Sequence, residues 1–351
     1  MAVKIAFFNH KGGVSKTTTT FNVGWMLAEK GYKVILVDAD PQCNLSGMIL
    51  GYNEALELED FYNNGTINNI RDGLKPAFES MPRLLEAVEC TEVEGRPNLL
   101  LLPGHIKFAE YDVTLGISQE LSGSIQALKN LPGSIAYLLD RTAERYSADY
   151  ILIDMSPSLS SINQNLMMIS NYFIVPTSPD FYSVMAIDSL TSIFKRWHAW
   201  SNKAQNVDIL KSADYPFPNV LPKFMGSIIQ KYRLRDSRAS QGFQYWIDRI
   251  NLTVKDKLIT QLKDIDMMLP EEAYINNRLT ENYCLGTIPD FNTLIARSQQ
   301  HKTPVFALTN EQLGHRGVVG TSARENRDRF YNIFNQLTNN IIGMVEYAER
   351  Y

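Results

Sequence analysis

Seven short apolar runs punctuate the chain, at 3–8, 34–38, 99–103, 150–154, 172–176, 224–230 and 284–288. They read as strands buried in a sheet, and amphipathic or helix-compatible segments separate most of them. Strands alternating with helices predict an α/β fold, with a mostly parallel central sheet and helices on both faces. The segment 323–351 predicts a long C-terminal amphipathic helix, with Phe330, Ile333, Phe334, Leu337, Ile341 and Val345 on one face.

Three stretches interrupt this alternation. Residues 50–98 are more polar and less regular, with turn signals at Asn63-Asn64-Gly65 and Asp72-Gly73, and read as mostly helical decoration of the sheet. Residues 200–222 contain Asp214-Tyr215-Pro216-Phe217-Pro218, a loop signature. Residues 236–282 carry helical periodicity and many charges. The expectation is one domain over 1–351 with approximate helical insertions at 50–98, 200–222 and 236–282. Met167, Met168, Trp197, Trp200 and Trp246 are expected in the core.

The strongest chemical signal directly follows the first strand: Lys11-Gly12-Gly13-Val14-Ser15-Lys16-Thr17-Thr18, with a helix pattern from 19 to 30 behind it. Strand, glycine-rich loop and helix form the context that a phosphate loop requires. Glycines let backbone N–H groups turn inward around an anion, and the helix N-terminus adds partial positive charge. Lys16 would offer an ammonium to the β- and γ-phosphates, and Thr17 a hydroxyl to Mg²⁺. His10, beside the loop, reads equally as a phosphate contact and as a packed histidine.

Two further strand ends carry carboxylates. Val37-Asp38-Ala39-Asp40-Pro41-Gln42 closes the second strand, at the sheet edge where ligands bind in such folds. Alone, this Asp pair reads about as often as a cap or turn element. Tyr150-Ile151-Leu152-Ile153-Asp154-Met155-Ser156-Pro157 has four apolar residues ending in an aspartate, the form of a Walker B strand. Asp154 would hold Mg²⁺ through a water or through Thr17.

The loop departs from the ordinary pattern GxxxxGK[ST], because His10 and Ser15 stand at its two glycine positions. It matches the deviant form KGGVxKTT, with Lys11 as the extra lysine. Here the chain resembles the ParA/MinD family of deviant Walker A P-loop ATPases, and within it the ParA/Soj-like partition proteins. Asp38-Ala39-Asp40-Pro41-Gln42 resembles the family's DxDPQ motif, and Asp154 to Pro157 its DxxP segment. The likeness continues through Asn165-Leu166, 173–176, 183–187, 226–229 and 288–305. It implies ATP/ADP and Mg²⁺ as ligands and a homodimer in the ATP state, with Lys11 reaching the partner's ATP. It implies that Asp40 positions or activates the attacking water, that Asp38 supports the metal site, and that Pro289 and Asp290 border the adenine. Asp290 stands where arginine is common. Slow turnover stimulated by a protein partner is implied as well.

Composition narrows what such a dimer would act on. Net charge is −4, so a globally basic nucleic-acid binder is not indicated. Local basic clusters, Lys231, Arg233, Arg235 and Arg238, then Arg316, Arg324, Arg327 and Arg329, are candidate nonspecific DNA contacts, and each also reads as a solvated face. A MinD-like membrane-surface role needs a basic amphipathic tail, whereas this one ends Glu346-Tyr347-Ala348-Glu349-Arg350-Tyr351 and is expected to pack on the core. Cys43, Cys90 and Cys284 are scattered, which argues against a disulfide framework, a zinc site or the cysteine pairs of an iron-protein reductase, and fits a reduced cytoplasm. Ligases of the cobyrinate or biotin type share the phosphate loop but are disfavoured by Lys11. A nucleotide-sensing regulatory subunit, its insertions binding a dedicated partner, is the remaining alternative.

Overall fold

A computed structural model describes residues 1–51, 61–62, 66–121, 126–235, 238–314 and 317–350. The Asn63-Asn64-Gly65 turn, part of the 50–98 segment and Arg316 lie outside the described residues.

All seven anticipated strands are present: β1 (Val3–Phe7), β2 (Val34–Asp38), β4 (Leu99–Leu102), β5 (Tyr150–Asp154), β6 (Tyr172–Thr177), β7 (Lys223–Tyr232) and β10 (Cys284–Pro289). They form one sheet in the order β10-β7-β6-β1-β5-β2-β4-β3. Every pairing in it is parallel except that of β3 (Thr91–Glu92), which lies antiparallel on the edge. β1 sits centrally, with Phe7 beside Asp154 of β5 and Ile5 beside Tyr172 of β6. The chain winds outward from β1 on one side through β2 and β4, then returns to β5 and builds β6, β7 and β10 on the other. That reversal opens a crevice at the carboxyl ends of the central strands.

Helices α1 (Lys16–Glu29), α2 (Asn44–Leu50), α3 (Ile70–Phe78), α4 (Tyr111–Glu120), α5 (Leu131–Tyr146), α6 (Ser161–Met168) and α7 (Phe181–Asn206) accompany the first six strands. Beyond the two-residue hairpin strands β8 (Leu234–Arg235) and β9 (Arg238–Ala239) come α8 (Gln241–Thr253), α9 (Ile259–Asp264), α10 (Glu271–Asn276), α11 (Leu294–Gln300) and α12 (Gly317–Arg350). α12 begins earlier than the expected 323. Its apolar face is buried as the pattern requires: Phe330, Phe334, Leu337, Ile341 and Val345 are in the core, and Ile333 packs partly against it. Each such large side chain contributes roughly 2 kcal/mol by leaving water. No helix among the described residues is long and apolar enough to cross a membrane.

The irregular stretches differ from expectation. Within 50–98, the only helix wholly inside the described residues is α3, and the chain after it is irregular apart from the two residues of β3. Its buried backbone N–H groups find side-chain hydroxyls from elsewhere: Leu85 N donates to Tyr215 Oη at 3.0 Å, Val88 N to Thr142 Oγ1 at 3.1 Å and Cys90 N to Tyr146 Oη at 2.9 Å. Such partners satisfy the backbone without a helix, and no local pattern announces them. Residues 207–222 are mostly irregular, yet Tyr215 and Phe217 are buried. Met167, Met168 and Trp197 lie in the core and Trp200 packs partly against it. Trp246 does not fit the core expectation: it is half-buried, its ring against Phe181 and Tyr245.

Candidate functional site

The loop between β1 and α1 is held in shape by its own neighbours. Buried Asn9 accepts from Lys11 N at 2.9 Å and donates through Nδ2 to Pro176 O at 2.9 Å, tying the loop to β6. Gly13 has φ of +74° and Ser15, the residue before α1, has φ of +56°. Ser15 thus takes the left-handed conformation that glycine adopts more easily. Lys16, 7% exposed, donates from Nζ to Asn9 O at 2.9 Å and Lys11 O at 3.3 Å. Burial lowers its pKa, while the charges of Asp154 and Asp40 oppose that shift. His10 is turned away to α7, its Nε2 3.0 Å from Ser189 Oγ, and burial together with Lys16 lowers its pKa.

The three aspartates have different surroundings. Asp38 Oδ2 accepts from both Ser46 N and Ser46 Oγ at 2.7 Å, and Oδ1 accepts from Asp40 N at 3.3 Å. Its oxygens therefore fasten β2 to α2. Burial pushes the Asp38 carboxyl up to about 6 despite those hydrogen bonds. Asp40 lines the cleft above the loop, with Oδ1 accepting from Gln42 N at 2.9 Å. Asp154 is buried, and neither of its oxygens has a hydrogen-bond partner among the described residues. Burial, then the neighbouring Asp38, raise its carboxyl well above the usual range; the Thr17 hydroxyl and Lys16 oppose the rise, the hydroxyl without completing a hydrogen bond. Buried carboxyl oxygens left without a partner beside a hydroxyl are the kind of oxygen donors a hard divalent cation takes.

A cleft of about 950 Å³ is lined by the phosphate loop and, of the three aspartates, by Asp40. One wall consists of Gly13, Val14, Ser15, Lys16, Thr17, Thr18 and Asp40; the other includes Gln230, Lys231, Pro289, Asp290 and Phe291. The structure thus brings the phosphate loop and the two residues expected at a base into one cavity. The Asp290 side chain is engaged locally, accepting from Asn292 N at 2.8 Å. Lys231, anticipated with the first basic cluster, reaches the loop, where its Nζ donates to Gly13 O at 2.9 Å. Arg235 and Arg238 occupy paired backbone positions of the antiparallel β8–β9 strands. Arg324 donates to Thr321 Oγ1, and Arg327 is engaged with Asp328, Leu308 O and Asn310. Arg329 borders a cavity of about 350 Å³ together with Leu234.

Lys11 folds back on its own chain. Its Nζ forms an ion pair with Asp180 and donates to Ser183 Oγ at 3.0 Å. Asp180 caps α7 by accepting from Ser183 N at 2.8 Å. Beside it lies an exposed aromatic surface: Phe181, Tyr182, Met185 and Tyr245 are 53%, 71%, 52% and 57% exposed, with Trp246 between Phe181 and Tyr245. Sequence reasoning missed Asn9, Ser46, Asp180 and Gln230. Only Asp180 left a signal, as an N-cap aspartate after Ser178-Pro179 and before a helix.

Residues 2–207 match the AAA domain family. The chain is 30% identical over 190 residues to the sporulation initiation inhibitor protein Soj of Bacillus subtilis, across 53% of this chain and 62% of that protein. It spans between 50% and 62% of the length of several curated relatives, Soj among them. Its fold is shared with protein DIP2308 of Corynebacterium diphtheriae, at 17% identity and a TM-score of 0.62 with 98% of each chain covered. It is also shared with an ATP complex of a McdA variant of Cyanothece, at 14% identity and 0.53, over 93% of this chain and 96% of that one. Deviant phosphate loop, sheet order and the family match agree: this chain belongs to the ParA/Soj-like partition ATPase family.

Proposed function

We propose that this chain binds and slowly hydrolyses ATP with Mg²⁺ and forms a homodimer held by ATP, acting in the cytoplasm as a partition or positioning ATPase on nonspecific DNA with an activating protein partner. The observation that carries this reading is a cleft in which Lys16, Thr17 and Asp40 share one wall, with the buried Asp154 carboxyl nearby and without a hydrogen-bond partner among the described residues. Thr17 and Asp154 would hold Mg²⁺, with Asp38 fixing the strand end next to it. Among the described residues no cluster of three His, Cys, Asp or Glu side chains could hold a metal, which fits an ion bound partly by phosphate oxygens. When bound, Mg²⁺ supplies charge neutralisation on the phosphates.

The chain's own residues do the rest. Lys16 exchanges the Asn9 and Lys11 carbonyls for phosphate oxygens. Asp40, at the cleft wall, orients the attacking water for in-line displacement. Pro289 and Asp290 border the base. Lys11 exchanges Asp180 for the γ-phosphate of a second copy, so that association depends on intact ATP. The exposed aromatic surface next to Lys11 supports this, because an apolar patch of that kind favours a protein contact. The DNA surface is assigned to Arg233, Arg235 and Arg238 with Arg324 and Arg329.

Light scattering with ATP·Mg²⁺, ADP·Mg²⁺ and no nucleotide tests the reading. Asp40→Ala should lock a dimer with ATP alone, and Lys11→Ala should abolish it. Salt-sensitive binding of a DNA duplex by that dimer only would establish the partition role. A mass that ignores nucleotide and Lys11 would sink the switch and favour a constitutively assembled regulatory subunit.

A further inference from the structure

Strand β7 ends on a bulge. Its neighbour β10 pairs Ile288 with Gln230 and then Pro289 with Tyr232, so the register skips Lys231. Lys231 has φ of +64°, which glycine adopts freely and lysine does not. Bulges beside functional sites re-aim side chains. This one sends the Lys231 ammonium onto Gly13 O, at 2.9 Å. The preceding residue acts in parallel: Gln230, 2% exposed, donates from Nε2 to Val14 O at 2.6 Å. Its Oε1 lies 2.9 Å from Thr19 Oγ1, which fixes the amide with its nitrogen toward the loop.

Two consecutive side chains of one strand thus hold two consecutive carbonyls of the phosphate loop. A trans peptide is planar, and its N–H points opposite to its C=O. Drawing the Gly13 carbonyl toward Lys231 turns the Val14 N–H the other way, and drawing the Val14 carbonyl toward Gln230 does the same for the Ser15 N–H. Backbone N–H groups so arranged are what a loop of this kind presents to an anion. The next residue on β7, Tyr232, accepts from Asp290 N at 3.0 Å, so the same strand end also fastens the opposite wall of the cleft.

We propose that Lys231 is a positioning residue of the nucleotide site: aimed by the β7 bulge, its ammonium fixes the Gly13–Val14 peptide so that the loop is set for phosphate before nucleotide arrives. This rests on the reading of the cleft as a nucleotide site. Setting the loop in advance removes an ordering cost from binding. It also takes Lys231 out of the basic cluster that the sequence offered to DNA.

The test uses the full chain with Lys231→Gly and Lys231→Arg. Glycine deletes the ammonium and relaxes the left-handed backbone, so the fold survives. The thermal midpoint of Lys231→Gly should equal or exceed the wild type's. The Kd for both ATP·Mg²⁺ and ADP·Mg²⁺, by titration calorimetry, should rise about tenfold, the scale of a lost charge-assisted hydrogen bond. KM should rise with it while kcat stays, and Lys231→Arg should recover most of the affinity. Unchanged nucleotide affinity in Lys231→Gly overturns the proposal, and so does a loss confined to DNA binding. A wild type that binds neither nucleotide would instead sink the reading of the cleft itself.

Discussion

The two walls of the cleft are built by different means. The phosphate wall comes from unbroken stretches at strand ends, the loop after β1 and Asp40 after β2, backed by Asp38 and Asp154 at the last positions of β2 and β5. The opposite wall is assembled from separate pieces, Gln230 and Lys231 at one strand end and Pro289 to Phe291 at another, brought into line by a bulged register. On the first wall the residue type states the chemistry, since a buried lysine and a partnerless carboxylate have little other use. On the second, ordinary residues gain a role from position alone.

The comparison is sharpened most by substituting one residue on each wall. Lys16→Ala should lower ATP turnover at least about 100-fold, because it removes charge stabilisation that grows as the phosphoryl group transfers. Gln230→Ala should leave saturated turnover near the wild-type value and weaken nucleotide binding. It should also destabilise the chain by about 1–3 kcal/mol, since the buried Val14 carbonyl loses its donor. Phosphate release against ATP concentration, with urea unfolding alongside, separates the two; equal losses of kcat would erase the distinction between the walls.

The next effect is on stability against pH. Asp38 has its carboxyl raised from 3.8 to about 6 in the folded chain. A raised carboxyl binds its proton more tightly when folded, so its contribution is full below the unfolded value and is lost as pH climbs through the folded one. The wild type should therefore lose about 2 kcal/mol relative to Asp38→Asn between about pH 4 and pH 7. Urea melts across that range measure the difference, and a flat difference curve refutes it. The smallest effect is at Ser15, where φ is +56°. Ser15→Gly removes left-handed strain and should raise stability by less than about 1 kcal/mol, with nucleotide affinity intact; a calorimetric melt that falls would count against that strain.

The phosphate wall was legible in the sequence because each of its parts is local: Lys11 to Thr18 in one run, Asp154 at the close of an apolar strand. The seven principal strands were legible for a similar reason, since strands buried on both sides read as apolar runs. Asn9 was not, because its importance lies in a hydrogen bond to Pro176 on β6. Lys231 read as one more basic residue, because its bulge exists only once β10 pairs with β7. The chain from 79 to 98 read as helical because the hydroxyls of Thr142, Tyr146 and Tyr215 that hold Leu85, Val88 and Cys90 in a non-helical path come from far along the sequence. Trp246 read as core because a large apolar ring says nothing of which rings will surround it.

The order in which these pieces are made has a consequence for how the protein matures. The phosphate loop and α1 are synthesised long before Gln230 and Lys231, which hold that loop, and before α12, which packs against α1 with Lys30 reaching Asn335. Contacts across such sequence separations form late, since the intervening chain must first be closed into a loop. During synthesis this segment waits, glycine-rich and partly uncovered, for its distant supports. A nascent chain arrested before β7 would hold the whole signature and still lack the clamp that shapes it.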